Sequence, residues 1–273
     1  MRFGGPVFGA TDPESWVAAH ADAGYSAAFW PDVAADTVDE YCAAAKAAGL
    51  VIAEVGAWSN PLSRDDATRK AALERCMNQL ALADRIGARC CVNIVGSLGE
   101  KWDGPCAEDL SPEAFDAIVE TTRAIIDAVR PRRSFYTLET MPWMLPDSAD
   151  SYLRLIEAID RPACAVHLDP TNLVNCPARY FANGALIREC FEKLGPRIRS
   201  CHAKDIVMSD RFMVHLDEVP PGQGTLDYRV YLGELSRLDA DTPLMMEHMS
   251  PEQYPQAARY IREVATECGV EIG

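Results

Sequence analysis

Ala163-Cys-Ala-Val-His-Leu-Asp169-Pro-Thr-Asn172 begins with four apolar residues and reaches a carboxylate six positions after its start. The apolar run is strand-sized. A charge at the end of a buried strand is costly unless it is paired or metal-bound. Short apolar runs of the same kind recur on both sides, at Phe3–Phe8, Ala27–Trp30, Leu50–Val55, Arg89–Val95, Phe135–Glu139, Ile198–Lys204 and Pro243–His248. Helical segments lie between them. One starts at Asp12-Pro13-Glu14, with Asp as N-cap and Pro at the first helical position. Asp36–Ala48 ends at Gly49 and Asp65–Ile86 at Gly87, both glycines suited to a left-handed helix stop. Ser111-Pro112-Glu113 opens a helix to about Val129, and Ser148–Ile159, Asn183–Leu194 (closing at Gly195), Tyr228–Leu238 and Pro251–Cys268 follow. Strand–helix units of roughly 30 residues imply a parallel sheet. Eight of them, with no glycine-rich dinucleotide motif, predict an α/β fold of the closed (β/α)8 type, the TIM barrel, as a single domain over 1–273.

The 273 residues carry a formal net charge of −15. An acidic surface repels phosphate backbones, so no nucleic-acid partner is expected. No apolar run approaches the length of a membrane span and no signal peptide is visible, so no membrane partner is expected either. Ten cysteines without a CxxC, mostly in apolar patterns, read as reduced thiols of a cytoplasmic protein. The widest irregular stretch is Asp205–Asp227; Gly96–Leu110 and Met141–Asp147 open on the same barrel face.

Four polar residues close the last four barrel strands: Glu139, Asp169, His202 and Glu247. One per strand, all at the mouth, they surround a common point. Three carboxylates and one imidazole make an oxygen-rich site for one divalent ion per chain, Mn²⁺ ahead of Mg²⁺ or Co²⁺, rather than structural zinc. His167 precedes Asp169 by two and shares its face; it either contacts a substrate hydroxyl or orients Asp169. Lys204 follows His202 by two and either holds a developing oxyanion or pairs with Asp205. Asn172 is placed to reach substrate. Glu54, ending the third strand, binds a sugar hydroxyl or makes a supporting ion pair. Trp30, Trp58 and Trp143 fall at or just after strand ends, where an aromatic face can stack on a sugar, though core packing is expected for at least one. His20 is expected at the surface, and His215 and His248 stay open. Pro221-Gly222-Gln223-Gly224 is a tight turn near the mouth and a weak phosphate signal.

At Val-His-Leu-Asp169, Cys-His-Ala-Lys-Asp205, Pro-Gly-Gln-Gly-Thr-Leu-Asp-Tyr228 and Met-Glu-His248 the chain resembles the xylose isomerase-like barrels. The branch is that of the sugar phosphate isomerases and epimerases, with ketose 3-epimerases, hydroxypyruvate isomerase and inosose dehydratase. The resemblance implies that Glu139, Asp169, His202 and Glu247 are the metal ligands. It also implies that Glu139 and Glu247 are the catalytic acid/base pair, on opposite faces of a small sugar substrate. One removes the proton beside a carbonyl, the metal stabilises the enediolate, and the other returns a proton. Family habit implies a homo-oligomer, dimer or tetramer, and leaves room for a second subunit. The chain departs from the ketose epimerases at Asn172 (His there), Met208 (Arg there, with Arg211 a nearby substitute) and Leu145 (Glu there). Asn172–Tyr180 and the Cys-His-Ala-Lys-Asp run also resemble barrel subunits that cleave C-glycosides by elimination. A metal-dependent lyase or dehydratase is therefore the alternative, and a partner-dependent non-catalytic subunit stands third. An abasic-site endonuclease of this fold would need a histidine-rich zinc site and a basic face, against five histidines and the acidic charge here.

Overall fold

The computed structural model describes residues Met1–Gly273. Its strands are β1 (Arg2–Gly4), β2 (Ala27–Phe29), β3 (Val51–Gly56), β4 (Cys90–Asn93), β5 (Tyr136–Glu139), β6 (Cys164–Leu168), β7 (Ile198–Ala203), β8 (Asp205–Ser209), β9 (His215–Val219) and β10 (Pro243–Met246). β1 to β7 and β10 form a closed parallel barrel, sealed where β1 pairs with both β2 (Gly4 opposite Ala27) and β10 (Arg2 opposite Pro243). The expected single (β/α)8 barrel is what the chain forms. A Cβ on Gly4 would lie 2.1 Å from the Ala27 carbonyl oxygen, so only glycine lets the two edges meet.

Helices α1 (Pro13–Asp22), α2 (Val38–Ala48), α3 (Asp66–Ile86), α4 (Pro112–Val129), α5 (Ala149–Ile159), α6 (Pro170–Leu173), α7 (Pro177–Phe181), α8 (Asn183–Leu194), α9 (Tyr228–Leu235) and α10 (Tyr254–Glu267) complete the chain. The starts follow the sequence signals: the side chains of Asp12, Asp65, Ser111 and Ser148 each accept a hydrogen bond from the backbone N–H three residues on. Gly49 and Gly87 end their helices in the left-handed region, at φ 68° and 74°. The core is a 57-residue cluster that includes Leu138, Val166, Leu168, Leu244 and Met246 from the barrel strands and Tyr152, Leu155, Ile187, Leu232 and Ile261 from the helices. Residues that alternate with these strand positions (Thr137 and Glu139, His167, Ser200 and His202) point to the other face, the barrel interior.

Several expectations are corrected. β1 stops at Gly4 rather than Phe8, because Gly5-Pro6 follows and proline has no N–H for the ladder. Asp205–Asp227 is not irregular throughout: it opens with the β8–β9 antiparallel hairpin, Asp205 opposite Val219. Gly195 has φ −37°, and the chain passes through a 3-10 turn instead of a left-handed stop. His20 is buried rather than on the surface. Its Nδ1 lies 2.8 Å from the Trp16 carbonyl oxygen, and its ring meets the Trp16 indole edge-on at 4.9 Å. No helix is long and apolar enough to cross a membrane.

Candidate functional site

Strand ends β5, β6, β7 and β10 bring Glu139, Asp169, His202 and Glu247 together, with one ligand atom from each lying within 4.8 Å of the others. His202 Nδ1 stands 3.0 Å from Glu139 Oε1, 2.9 Å from Glu247 Oε1 and 3.9 Å from Asp169 Oδ2. Lys204 Nζ enters the same group, 2.6 Å from Glu247 Oε1 and 2.9 Å from Asp169 Oδ2. Lys204 therefore joins the quartet and does not pair with Asp205. Asp169 commits one oxygen to the first turn of α6, where Oδ1 accepts from the N–H groups of Thr171 and Asn172. Its Oδ2, like Glu247 Oε1, is buried and met by the Lys204 ammonium alone or with the His202 ring, not by any backbone or hydroxyl donor. Two buried carboxylate oxygens that face only the Lys204 ammonium and the His202 ring, with a third carboxylate beside them, make a donor set that fits a hard divalent cation.

The charges hold one another. Burial opposes the positive charge on His202, but Glu247, Glu54 and Glu139 outweigh it and keep its pKa well above the usual imidazole range. For Lys204 burial likewise acts against the charge, and Asp169, Glu247 and Glu139 more than offset it. Burial favours neutral Glu139 and Glu247, yet His202 and Lys204 hold both below the ordinary carboxylate range. Asp169, with no exposed surface, is pushed up because burial outweighs the Lys204 ammonium.

Glu54 and His167 lie beneath this group rather than in the cavity. His167 Nε2 is 2.9 Å from Glu54 Oε1, and His202 Nε2 is 3.4 Å from Glu54 Oε2. The Ser200 hydroxyl also donates to Glu54. The Glu54 carboxylate thus faces the ring nitrogen of His202 that points away from the quartet, which fixes the ring's orientation. Other supports carry no sequence motif. The Tyr152 hydroxyl on α5 donates to the carbonyls of Leu138 (2.5 Å) and Ala165 (2.9 Å), tying β5 to β6 just below Glu139 and Asp169. The hydroxyls of Tyr231 and Tyr228 on α9 hold the carbonyls of His202 (2.8 Å) and Lys204 (2.7 Å). These tyrosines look like ordinary helix core from sequence; only a tertiary contact reveals their hydroxyl partners.

Above the quartet opens a cavity of about 420 Å³. Glu139, Asn172, Lys204 and Glu247 form its polar side, and Trp58, Trp102 and Trp143 come from the loops after β3, β4 and β5. Asn172 Nδ2 donates to Glu139 Oε1 at 3.2 Å, so it stands at the quartet end of the cavity. Trp143 is there too, 39 % exposed, its indole N–H bonded to the Asp103 carbonyl. Trp30 is not: it packs edge-on against Trp16 and Tyr41 in the helical layer. Trp102, Glu218 and His248 line the cavity without having been singled out for it; Glu218 came into reach only through the unforeseen hairpin, and His248 Nδ1 is 3.3 Å from it. Leu145 is core, while Met208 and Arg211 belong to the hairpin region outside this cavity, where Arg211 faces Asp217 at 3.9 Å. Arg211 is therefore no substitute for a substrate-binding arginine. The Pro221–Gly224 turn has no free anion site, because the N–H groups of Gly222 and Gly224 already bond Asp205 Oδ2 at 2.9 and 3.1 Å.

Fold and site together define a (β/α)8 barrel with a carboxylate-rich centre at the C-terminal ends of its strands. The sequence model of the xylose isomerase-like TIM barrel matches residues 17–264, and the chain belongs to that family. No curated protein matches the sequence significantly. Among solved structures the chain is similar to the probable 3-DHS dehydratase AsbF of Bacillus anthracis, with 17% identity, TM-score 0.73, and 97% and 99% of the two chains covered. It is also similar to the 3-keto-D-glucoside 4-epimerase YcjR of E. coli (14% identity, TM-score 0.71, 96% and 99% covered). A xylose isomerase-like TIM barrel protein of Mycobacterium smegmatis, in complex with magnesium, aligns with TM-score 0.67 at 16% identity over 94% and 89%. Likeness at this identity is likeness of fold.

Proposed function

We propose that this chain is a divalent-metal-dependent isomerase or epimerase of a sugar or polyol derivative. The observation that carries the reading is the buried quartet itself, three carboxylates and one imidazole with a ligand atom from each within 4.8 Å of the others. Glu139, Asp169, His202 and Glu247 would hold the ion, with Mn²⁺ preferred over Mg²⁺ because the set includes an imidazole, and over Co²⁺ because three of its four ligands are carboxylates. When bound, it supplies Lewis-acid stabilisation of negative charge developing on the substrate's oxygens. The chain's own residues do the rest. Glu139 and Glu247 flank His202 at 3.0 and 2.9 Å and are both held ionised, the state a general base needs. One takes the proton beside the carbonyl; the other, after taking up a proton from solvent through the open cavity, delivers it to the opposite face, and the first then returns its proton to solvent. Lys204, buried among them, offsets the charge of the intermediate, and Asn172 orients Glu139 and the substrate. Glu54 and His167 position His202.

A second reading, elimination from the same carbanionic intermediate, is favoured by one observation. The positions that bind substrate in ketose 3-epimerases are Leu145 and Met208 here, neither of them in the cavity. The dehydratase AsbF among the structural relatives is consistent with it. The deciding experiment is metal analysis of protein purified without chelator, combined with a panel of keto-sugars and glycosides followed by NMR in D₂O. About one ion per chain and metal-dependent exchange of the proton beside a carbonyl support the site. The product, epimer or unsaturated sugar, then chooses between the readings. Failure to bind any divalent ion would overturn both.

A further inference from the structure

A second cavity adjoins the first. It measures about 580 Å³ and shares Pro142, Trp143, Asn172 and Glu218 with it, so the two meet across the Trp143 indole. Its far wall is apolar: Val174 beyond α6, and Ile206, Val214 and Leu216 from the β8–β9 hairpin. The charge around the first cavity is unsuited to an anion. No arginine lines it, and its lysines are already paired, Lys101 with Asp103 at 3.4 Å and Lys204 with Glu247 at 2.6 Å. Four carboxylates (Asp103, Glu139, Glu218, Glu247) face the same space, and the Pro221–Gly224 turn is filled by Asp205. A phosphorylated sugar would bring a dianion to a site with no free donor cluster.

We propose that the substrate is a neutral glycoside whose sugar ring carries a keto group: the reacting keto-sugar occupies the first cavity over the quartet, and an apolar aglycone crosses Trp143 into the second. This rests on the metal-dependent sugar chemistry proposed above and narrows it to one substrate class. Tryptophan platforms suit the carbon-rich face of a sugar ring, and the Val174–Leu216 wall suits an aryl or alkyl group.

The test is a titration of the Mn²⁺-loaded protein, followed by quenching of tryptophan fluorescence. The probes are phenyl β-glucoside, methyl β-glucoside and glucose 6-phosphate. Phenyl glucoside should bind about tenfold more tightly than methyl glucoside, and glucose 6-phosphate most weakly. Leu216→Glu and, independently, Val214→Glu on the exposed part of the same wall should each erase the phenyl advantage, with metal content and circular dichroism checking that the barrel is intact. Equal binding of the two glucosides, a preference for the phosphate, or a phenyl advantage that survives both substitutions would overturn the proposal. Repeating the titration after chelation separates it from the functional reading. A phenyl preference with no bindable metal keeps the two-cavity assignment and removes the metal chemistry; metal-dependent exchange with no phenyl preference does the reverse.

Discussion

Asp205→Ala should destabilise the protein by about 4 kcal/mol. The carboxylate begins the β8–β9 hairpin and accepts four backbone N–H bonds, from Ile206 and Leu226 at 2.8 Å each, Gly222 at 2.9 Å and Gly224 at 3.1 Å. The alanine variant leaves all four without their acceptor. The Gly222 and Gly224 donors sit in partly exposed surroundings and can turn to water, so their net loss is small. The Ile206 and Leu226 donors are buried, and each unsatisfied buried donor costs about 1–3 kcal/mol. Two such losses give the stated figure, which for a chain of this size corresponds to a fall in Tm of roughly 7 °C. Urea unfolding followed by circular dichroism, with metal-free protein so that ligand linkage does not intervene, measures it. A loss below about 1 kcal/mol would mean that the turn is organised by something other than this carboxylate, and the argument that it leaves no room for phosphate would fall with it.

Other perturbations test other parts of the structure. Glu139→Gln and Glu247→Gln should each lower kcat by at least about 10²-fold while Asp169→Asn and His202→Ala chiefly weaken metal affinity; full activity in both Gln variants would sink the two-glutamate mechanism. Saturating Mn²⁺ at about 100 times its Kd should raise stability by about 2.7 kcal/mol, and EDTA should remove the gain; an unchanged Tm in calorimetry would speak against the site. Tyr152→Phe should cost about 1–3 kcal/mol, because it removes a hydroxyl shared by the carbonyls of Leu138 and Ala165; denaturant midpoints within error of the parent would show that β5 and β6 do not depend on it. Burial lowers the pKa of His20 in the folded chain, so the unfolded chain takes up the proton first. Stability should therefore fall as pH drops below about 6.5. Comparison with His20→Asn isolates this slope, and identical pH profiles would contradict it.

The barrel was legible because its signals are local. Asp12, Asp65, Ser111 and Ser148 sit where helices begin, Gly49 and Gly87 where they end, and each does in the structure what its chemistry allows. The quartet was legible for a related reason: a strand alternates faces strictly, so a polar residue closing an apolar run points to a known place. What sequence did not reveal depends on partners far along the chain. Glu54 looks like any other strand-end acid until His202, 148 residues away, is found at its carboxylate. His20 sits on a helix with weak amphipathic contrast, and its burial follows from Trp16 packing on Tyr41 of the neighbouring helix. The hairpin was hidden because Val-Met-Ser209 and His-Leu-Asp217 are half-exposed strands without the alternation that a covered sheet imposes.

Trp58, Trp102 and Trp143 stand on three consecutive loops, whereas the acids and the histidine stand on strands whose carbonyls are tied down by tyrosines from the outer helices. Loop exchange between barrels of this kind thus becomes a practical route to new catalysts. The three loops can be replaced as cassettes to change what is recognised, provided that the third begins beyond Thr140, whose hydroxyl bonds the Asp169 backbone; the quartet then keeps its spacing because its remaining anchors lie on strands and outer helices.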